Sequence, residues 1–151
     1  MELLPILLVE DDASDAFLLQ RAFAKAKVPN PLLVVNSGEE ALAYLKGEAK
    51  FADRQAYPFP SIVLLDIKMP RLDGLELLSI IRKDPQLRRL VVIMLSSSGE
   101  QRDVDRAFEL NANSYLVKPS QLDGMAEILE TVKNYWLRMN QYPECPTLAT
   151  A

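Results

Sequence analysis

The chain has 151 residues, of which 49% are hydrophobic and 25% charged, and this composition fits one globular domain of ordinary size. A net charge of −4 argues against direct DNA binding, because phosphate recognition relies on an excess of lysine and arginine. Histidine is absent and Cys145 is the single cysteine, which excludes a histidine general base and an internal disulfide and fits a reducing cytoplasm. The first apolar segment, 6–9, is too short for a signal peptide or a membrane span.

Short apolar segments alternate along the chain with longer amphipathic ones. The segments 6–9, 32–35, 62–65, 90–95 and 114–117 contain runs of consecutive apolar residues, which is typical of strands covered on both faces. Helices are predicted over 15–26, 37–47, 75–82, 100–110 and about 120–139. The alternation predicts an α/β fold, a doubly wound five-stranded parallel sheet with helices on both faces.

Two segments fall outside this alternation. Residues 48–61 contain two prolines and form a predicted loop that is longer than the usual connection. Residues 140–151 also contain two prolines and cannot extend the last helix. We therefore expect a single domain over 1–139, followed by a C-terminal tail.

Polar and charged residues follow four of the predicted strands. Glu10 and Asp11 come after the first strand, Asp66 after the third, Ser96 after the fourth and Lys118 after the fifth. In an open parallel sheet the carboxyl ends of the strands share one edge, where ligands bind. These side chains are therefore expected to meet at one site.

Each of these features also has an ordinary structural interpretation. Asp12, Ser14 and Asp15 are residue types that cap a helix or favour its first turn. Serines are common in loops, which is the ordinary interpretation of Ser96. Most lysines are solvated, which is the ordinary interpretation of Lys118. The placement of all the charged groups at one edge favours a functional site over separate structural roles.

The residue types at this edge suit phosphoryl transfer. A cluster of carboxylates stays ionised when a cation neutralises it, and Mg²⁺ prefers oxygen ligands of this kind. Lys118 would supply a second positive charge, and Ser96 a hydrogen-bond donor to an anion. Asp66 is the better nucleophile candidate because it stands alone, whereas Glu10 and Asp11 form a pair suited to holding metal.

Four motifs carry a family resemblance, and they occur in order at the predicted strand ends. They read ILLVEDD (6–12), LLDIKMPRLDG (64–74), MLSSS (94–98) and YLVKP (115–119). Together they resemble the response-regulator receiver domain (CheY-like) of bacterial two-component signalling. The resemblance covers about residues 3–139 and implies the flavodoxin-like receiver fold.

The resemblance also implies a role for each matching residue. Asp66 matches the phosphoacceptor, which takes a phosphoryl group from a histidine of a partner kinase. Glu10 and Asp11 match the acidic pair that binds Mg²⁺ together with Asp66, and the backbone carbonyl of Lys68 matches the position that completes the metal shell. Ser96 matches the switch hydroxyl.

Three further residues near the fifth strand match the family. Lys118 matches the active-site lysine, and the resemblance implies a cis peptide bond between Lys118 and Pro119. Tyr115 matches the switch aromatic, whose inward or outward rotamer reports phosphorylation. Among receiver proteins, the sequence looks most similar to stand-alone regulators of phytochrome-type histidine kinases, although chemotaxis-type and phosphorelay regulators carry the same site.

Two other functions remain open from the residues. An aspartyl-phosphate phosphatase or phosphotransferase commonly has a second aspartate two residues after the nucleophile, and this chain has Lys68 there. A non-phosphorylated pseudo-receiver module would not need the complete set of site residues. The favoured interpretation is a phosphoacceptor signalling protein that is not an enzyme acting on a separate substrate.

Self-association is a further expectation. The last helix and tail contain several large apolar residues, of which Tyr135 and Leu137 are expected in the core. Trp136 and Tyr142 are expected to meet a partner or a second subunit. The hypothesis is a homodimer through helix 4, strand 5 and helix 5, with the downstream partner unidentified.

Overall fold

The computed structural model describes residues 3–145 and confirms the predicted alternation of strands and helices. The strands are β1 (Ile6–Val9), β2 (Leu32–Val35), β3 (Ile62–Leu65), β4 (Val91–Ser96) and β5 (Ser114–Val117). The helices are α1 (Ala13–Lys25), α2 (Gly38–Lys46), α3 (Gly74–Lys83), α4 (Gln101–Glu109) and α5 (Leu122–Val132). All strands are parallel, and their order in the sheet is β2-β1-β3-β4-β5.

Alternate residues of each central strand enter two separate hydrophobic clusters. Leu7 and Val63, which pair in register, pack with the buried residues of α2, α3 and α4. Ile6 and Ile62, which also pair, pack with the buried residues of α1 and α5. Because side chains alternate between the faces of a strand, strands covered on both faces must be apolar at consecutive positions.

The start of α3 is packed directly against the loop that follows β3. A Cβ atom added at Gly74 would lie 2.0 Å from the carbonyl oxygen of Asp66, so any side chain there would clash with backbone. Asp73 caps the helix by accepting from Glu76 N, and the Glu76 carboxylate accepts from Asp73 N. This reciprocal pair fixes where α3 begins.

The long segment 48–61 contains one turn of 3₁₀-helix, Ala49–Phe51, and is otherwise irregular. The rings of Tyr44, Phe51 and Tyr57 pack together, with centroids 5.0 to 6.0 Å apart. Arg54 donates to the carbonyl oxygens of residues 45 and 57. These contacts anchor the long connection to α2.

The C-terminal end of the last helix differs from the prediction. α5 ends at Val132 and continues as a π-helical turn, Lys133–Leu137. Trp136 and Leu137 pack partly buried against the α1–α5 cluster, whereas Tyr135 is 51% exposed. The core prediction for Tyr135 is therefore wrong, because the wider turn changes which side chains face the sheet, whereas contact of Trp136 with a partner stays a prediction.

The chain after this turn has no regular secondary structure as far as residue 145. The Tyr142 hydroxyl donates to the carbonyl oxygen of Trp136, so this part of the tail folds back on the helix end. The last six residues of the predicted tail lie outside the described residues. Within 3–145, no helix is long and apolar enough to cross a membrane.

Candidate functional site

The carboxyl edge of the sheet brings the predicted site residues together. Backbone hydrogen bonds continue the strand ladders past their ends: Asp66 N donates to Val9 O at 3.3 Å, and Lys118 N to Ser96 O at 2.8 Å. Glu10 N likewise donates to the carbonyl oxygen of residue 35, at 3.0 Å. The backbone therefore holds these residues in fixed register where the strands end.

Three carboxylates converge at this edge. Glu10, Asp11 and Asp66 each offer an oxygen, and the three oxygens lie within 4.8 Å of one another. Glu10 and Asp66 are buried, whereas Asp11 is exposed. An open cluster of hard oxygen donors fits a divalent cation such as Mg²⁺, which keeps several waters when it binds.

Lys118 lies within reach of two of these carboxylates. Its Nζ is 2.8 Å from Glu10 Oε2 and 3.5 Å from Asp66 Oδ2. The Lys118 side chain is only 5% exposed, although β5 is separated from β3 by β4. The lysine therefore reaches across the sheet edge into the acidic cluster.

Burial shapes the ionisation of these groups. Burial raises the pKa of Glu10 to about 7, and the hydrogen bond from Lys118 opposes part of this rise. Burial also raises the pKa of Asp66, with the charge of Lys118 working against it. For Lys118, burial disfavours the charge, but Glu10 and Asp66 attract the ammonium and leave its pKa above the usual value. A bound cation would relieve the remaining excess of negative charge.

Ser96 and Tyr115 are linked through Ser98. The buried Ser96 Oγ accepts from Ser98 N at 3.2 Å, and the Tyr115 hydroxyl donates to Ser98 O at 2.6 Å. The Ser98 hydroxyl donates to Asp103 in the first turn of α4, at 2.5 Å. A movement of the Ser96 hydroxyl would therefore disturb the β4–α4 loop that Tyr115 contacts.

Two predicted features lie outside the carboxylate cluster, namely the Lys68 carbonyl oxygen as a metal ligand and the cis bond before Pro119. The role of the Lys68 carbonyl stays a prediction. Lys68 lies in the loop after β3 and is exposed. The expected cis bond between Lys118 and Pro119 is wrong, because residues 3–145 contain no cis peptide bond. The trans form is the lower-energy one for a bond before proline, by about 0.5–1 kcal/mol.

The structure adds one residue that the sequence interpretation treated as part of a helix start. Asp15 Oδ2 lies 3.0 Å from Lys118 Nζ, so a fourth carboxylate contacts the site. Its position in the first turn of the helix after Glu10 and Asp11 was the available signal. Sequence spacing alone does not say which way a first-turn carboxylate points.

Comparison with known proteins identifies the family of the chain. Residues 6–130 match the response regulator receiver domain family. The response regulator Rcp1 of Synechocystis sp. is 31% identical over 138 residues, which cover 91% of this chain and 92% of that protein. A Mn²⁺-bound structure of a response regulator Rcp1 has a TM-score of 0.81 at 30% identity, covering 93% of this chain and 99% of that one.

Two other solved structures are similar over nearly the whole chain. The response regulator RPA3017, described in red light signalling of R. palustris, has a TM-score of 0.89 at 37% identity. The phosphorylated cyanobacterial phytochrome response regulator RcpA has a TM-score of 0.85 at 34% identity. Each alignment covers 94% of this chain and 99% of the other.

Proposed function

Because the chain belongs to the response regulator receiver domain family, whose members are signalling proteins, we propose that it accepts a phosphoryl group on Asp66. The observation that carries this proposal is the convergence of three carboxylates within 4.8 Å, beside a lysine that is almost fully buried. A cation and a lysine around one carboxylate can offset the charge that phosphoryl transfer brings to the site.

The proposed step uses an Asp66 carboxylate oxygen as the nucleophile. This oxygen forms a bond to phosphorus while the bond from phosphorus to a histidine nitrogen of the kinase breaks, and the nitrogen keeps the electron pair. Lys118 attracts the phosphoryl oxygens, and Ser96 donates a hydrogen bond to one of them. Glu10 and Asp11, with Asp66 and the carbonyl oxygen of Lys68, would hold Mg²⁺, which offsets negative charge when it is bound.

The proposed signal follows from the contacts of Ser96. If the Ser96 hydroxyl turns to a phosphoryl oxygen, it loses the 3.2 Å hydrogen bond that Ser98 N donates to it. The β4–α4 loop can then shift, and Tyr115, which donates to Ser98 O, shifts with it. One local anionic modification thereby biases the surface around α4 and β5.

The proposed partner is a histidine kinase of the phytochrome type, in the cytoplasm. Two similar proteins support this source of the phosphoryl group: the red-light regulator RPA3017 and the phytochrome regulator RcpA. The output is proposed to be contact with an unidentified downstream protein rather than with DNA, since the net charge is −4. Residues 140–151 are proposed to act as a tail to the receiver domain of 1–139.

The kinase proposal is tested by phosphotransfer. The phosphorylated histidine kinases of the source organism are each mixed with the wild-type chain and with Asp66→Ala. We expect rapid loss of label from a phytochrome-type kinase to the wild type, and no label on Asp66→Ala. Transfer from other kinases alone would contradict the phytochrome link. A wild type that takes up no label would favour the pseudo-receiver interpretation. Steady release of phosphate from an added phosphomonoester would favour the phosphatase interpretation.

A homodimer through α4, β5 and α5 is proposed as the assembly. Exposed apolar side chains support it, namely Phe108 on α4, Val117 on β5, Tyr135 in the π-helical turn after α5 and Met139 just beyond that turn. Sedimentation with and without beryllofluoride, a phosphoryl mimic, tests the assembly. A monomer at high concentration in both conditions would contradict it, and Phe108→Glu is expected to weaken a dimer that does form.

A further inference from the structure

Asp15 shares the ammonium group of Lys118 with the proposed phosphoacceptor. Its Oδ2 lies 3.0 Å from Lys118 Nζ, compared with 2.8 Å for Glu10 and 3.5 Å for Asp66. An ammonium group has three N–H donors, so three carboxylates can occupy all of them. Because the contact with Asp66 is the longest, Lys118 is held mainly by Glu10 and Asp15.

At the start of α1, Asp15 does not make the helix-capping contact that its position allows. In α3 the acidic residue at the third helical position, Glu76, accepts from the backbone N–H of the capping residue. In α1 the corresponding N–H, on Asp12, donates to Glu10 at 3.2 Å. The Asp15 carboxylate turns to Lys118 instead. The acidic residue at the third helical position therefore bonds to the capping residue of its own helix in α3, whereas in α1 it bonds to Lys118.

Of the two contacts that mainly hold Lys118, the one with Asp15 is released more easily than the one with Glu10. The Asp15 side chain is 44% exposed, whereas that of Glu10 is 1% exposed. When Lys118 leaves Asp15, water can solvate the freed carboxylate, so the loss is small. Glu10 has no such replacement, because an unpaired buried carboxylate is costly.

Asp15 also adds negative charge beside the proposed phosphoacceptor. Glu10, Asp11 and Asp66 already form an acidic cluster, and Asp15 brings a fourth carboxylate to the lysine that would neutralise a phosphoryl group. A small anionic phosphodonor must approach this field and compete for Lys118. A kinase offers further contacts over its docking surface that can offset the repulsion.

We propose that Asp15 is a positioning residue that restrains Lys118 and disfavours phosphorylation of Asp66 by small anionic phosphodonors. The inference rests on the proposed phosphoacceptor function. In the reaction with acetyl phosphate, an Asp66 oxygen bonds to phosphorus and acetate leaves with the electron pair of the broken bond, so charge balances without a proton. Lys118 exchanges Asp15 for a phosphoryl oxygen in this step.

The test compares Asp15→Asn with the wild type in initial rates of Asp66 phosphorylation at neutral pH with Mg²⁺. Acetyl phosphate, a dianion, is expected to react about two- to fivefold faster with the variant, as befits a half-exposed ion pair. Phosphoramidate, which carries less negative charge, is expected to gain less. The gain with acetyl phosphate should also shrink as salt is added, because salt screens exposed charges.

Two control variants separate this role from a general effect on the fold. Asp84→Asn removes the same charge at the C-terminal end of α3 and keeps an acceptor for Gln86 N, so it should react like the wild type. Asp15→Glu retains the charge and should also react like the wild type.

The outcomes distinguish the inference from the function on which it rests. A wild type that is phosphorylated on Asp66, with Asp15→Asn equal to or slower than it, overturns the inference alone. Equal gains with both donors and at all salt concentrations would also overturn it. A wild type that takes no phosphoryl group from any donor or kinase overturns the proposed function.

Discussion

Lys118 and Arg82 are two cations at opposite ends of the fold, and their partners differ in kind. Lys118 contacts the carboxylates of Glu10, Asp15 and Asp66. Arg82, in the last turn of α3, donates to four neutral oxygens at 2.7 to 2.9 Å, three of them backbone carbonyls. One cation is surrounded by an excess of negative charge, and the other is used only as a hydrogen-bond donor.

The difference teaches which end of the molecule is built for chemistry. Arg82 joins α3 to the connection before β4, through the carbonyls of Arg88 and Leu90, and to the connection before β5. All of these bonds are satisfied without any further ligand. The carboxylates around Lys118 outnumber it, and they are neutralised fully only when a second cation binds.

The largest expected effect is loss of stability on replacing Arg82. Arg82→Met keeps an unbranched apolar side chain but removes the guanidinium donor from four acceptors, of which Asn113 Oδ1 still accepts from Val92 N. We expect the free energy of unfolding to fall by about 3 kcal/mol, since hydrogen bonds from charged groups contribute more than neutral ones and four are lost together. Urea unfolding in the absence of metal measures this value.

The control for this change is Arg88→Met, because the Arg88 side chain is exposed and its backbone oxygen remains in place. We expect a change of roughly 0.5 kcal/mol or less for such a surface substitution. Equal losses of unfolding free energy for the two variants would show that the hydrogen bonds of Arg82 do not stabilise the fold as proposed.

The second prediction concerns metal at the opposite end. Mg²⁺ at about ten times its dissociation constant should raise the free energy of unfolding of the wild type by about 1.4 kcal/mol. Asp11→Asn removes one charged ligand of the proposed site and should lose most of this increase. Urea unfolding with Mg²⁺ and with a chelator gives both values. An undiminished increase in Asp11→Asn would exclude Asp11 as a metal ligand.

The third and smallest effect has the opposite sign to that of Arg82. Without metal, Asp66→Asn should raise the free energy of unfolding by about 0.5–1 kcal/mol, because it removes a buried charge from an acidic cluster. Its contact with Lys118 is the longest of the three, so little attraction is lost.

The pH dependence of this gain follows from the pKa of Asp66, which burial raises. A raised pKa in the folded state means that ionised Asp66 destabilises the fold above that pKa. The penalty disappears as the pH falls toward the ordinary carboxyl range, where the group is protonated in both states. The gain should therefore be larger at neutral pH than in acid and shrink on acidification. A gain that grows on acidification would contradict this account, and Asp84→Asn provides the matched control.

The sequence predicted the fold and the place of the site because both follow from strand patterns. Residues that follow parallel strands meet at one edge of the sheet, so the sequence alone predicts that Glu10, Asp66 and Lys118 lie close together. β4 begins and ends one residue later than predicted. Apolar patterning indicates which residues are buried, and it does not locate the last hydrogen bond of the strand ladder.

Features that depend on side-chain direction could not be predicted in the same way. Asp15 turns to Lys118 because β5 brings that lysine past α1, which is a matter of tertiary packing. The π-helical turn changed the faces of Tyr135 and Trp136, since it adds a residue to the turn that a regular helix would not have. The four acceptors of Arg82 come from segments distant in sequence.

The most direct test of the central claim is to locate the phosphoryl group. The chain is phosphorylated with its kinase or with acetyl phosphate in the presence of Mg²⁺, and borohydride then reduces the acyl phosphate to an alcohol for peptide mass spectrometry. We expect the reduced residue at Asp66 and none in Asp66→Ala. Modification of a different residue, or an unmodified wild type with both donors, would contradict the assignment of Asp66 as the phosphoacceptor.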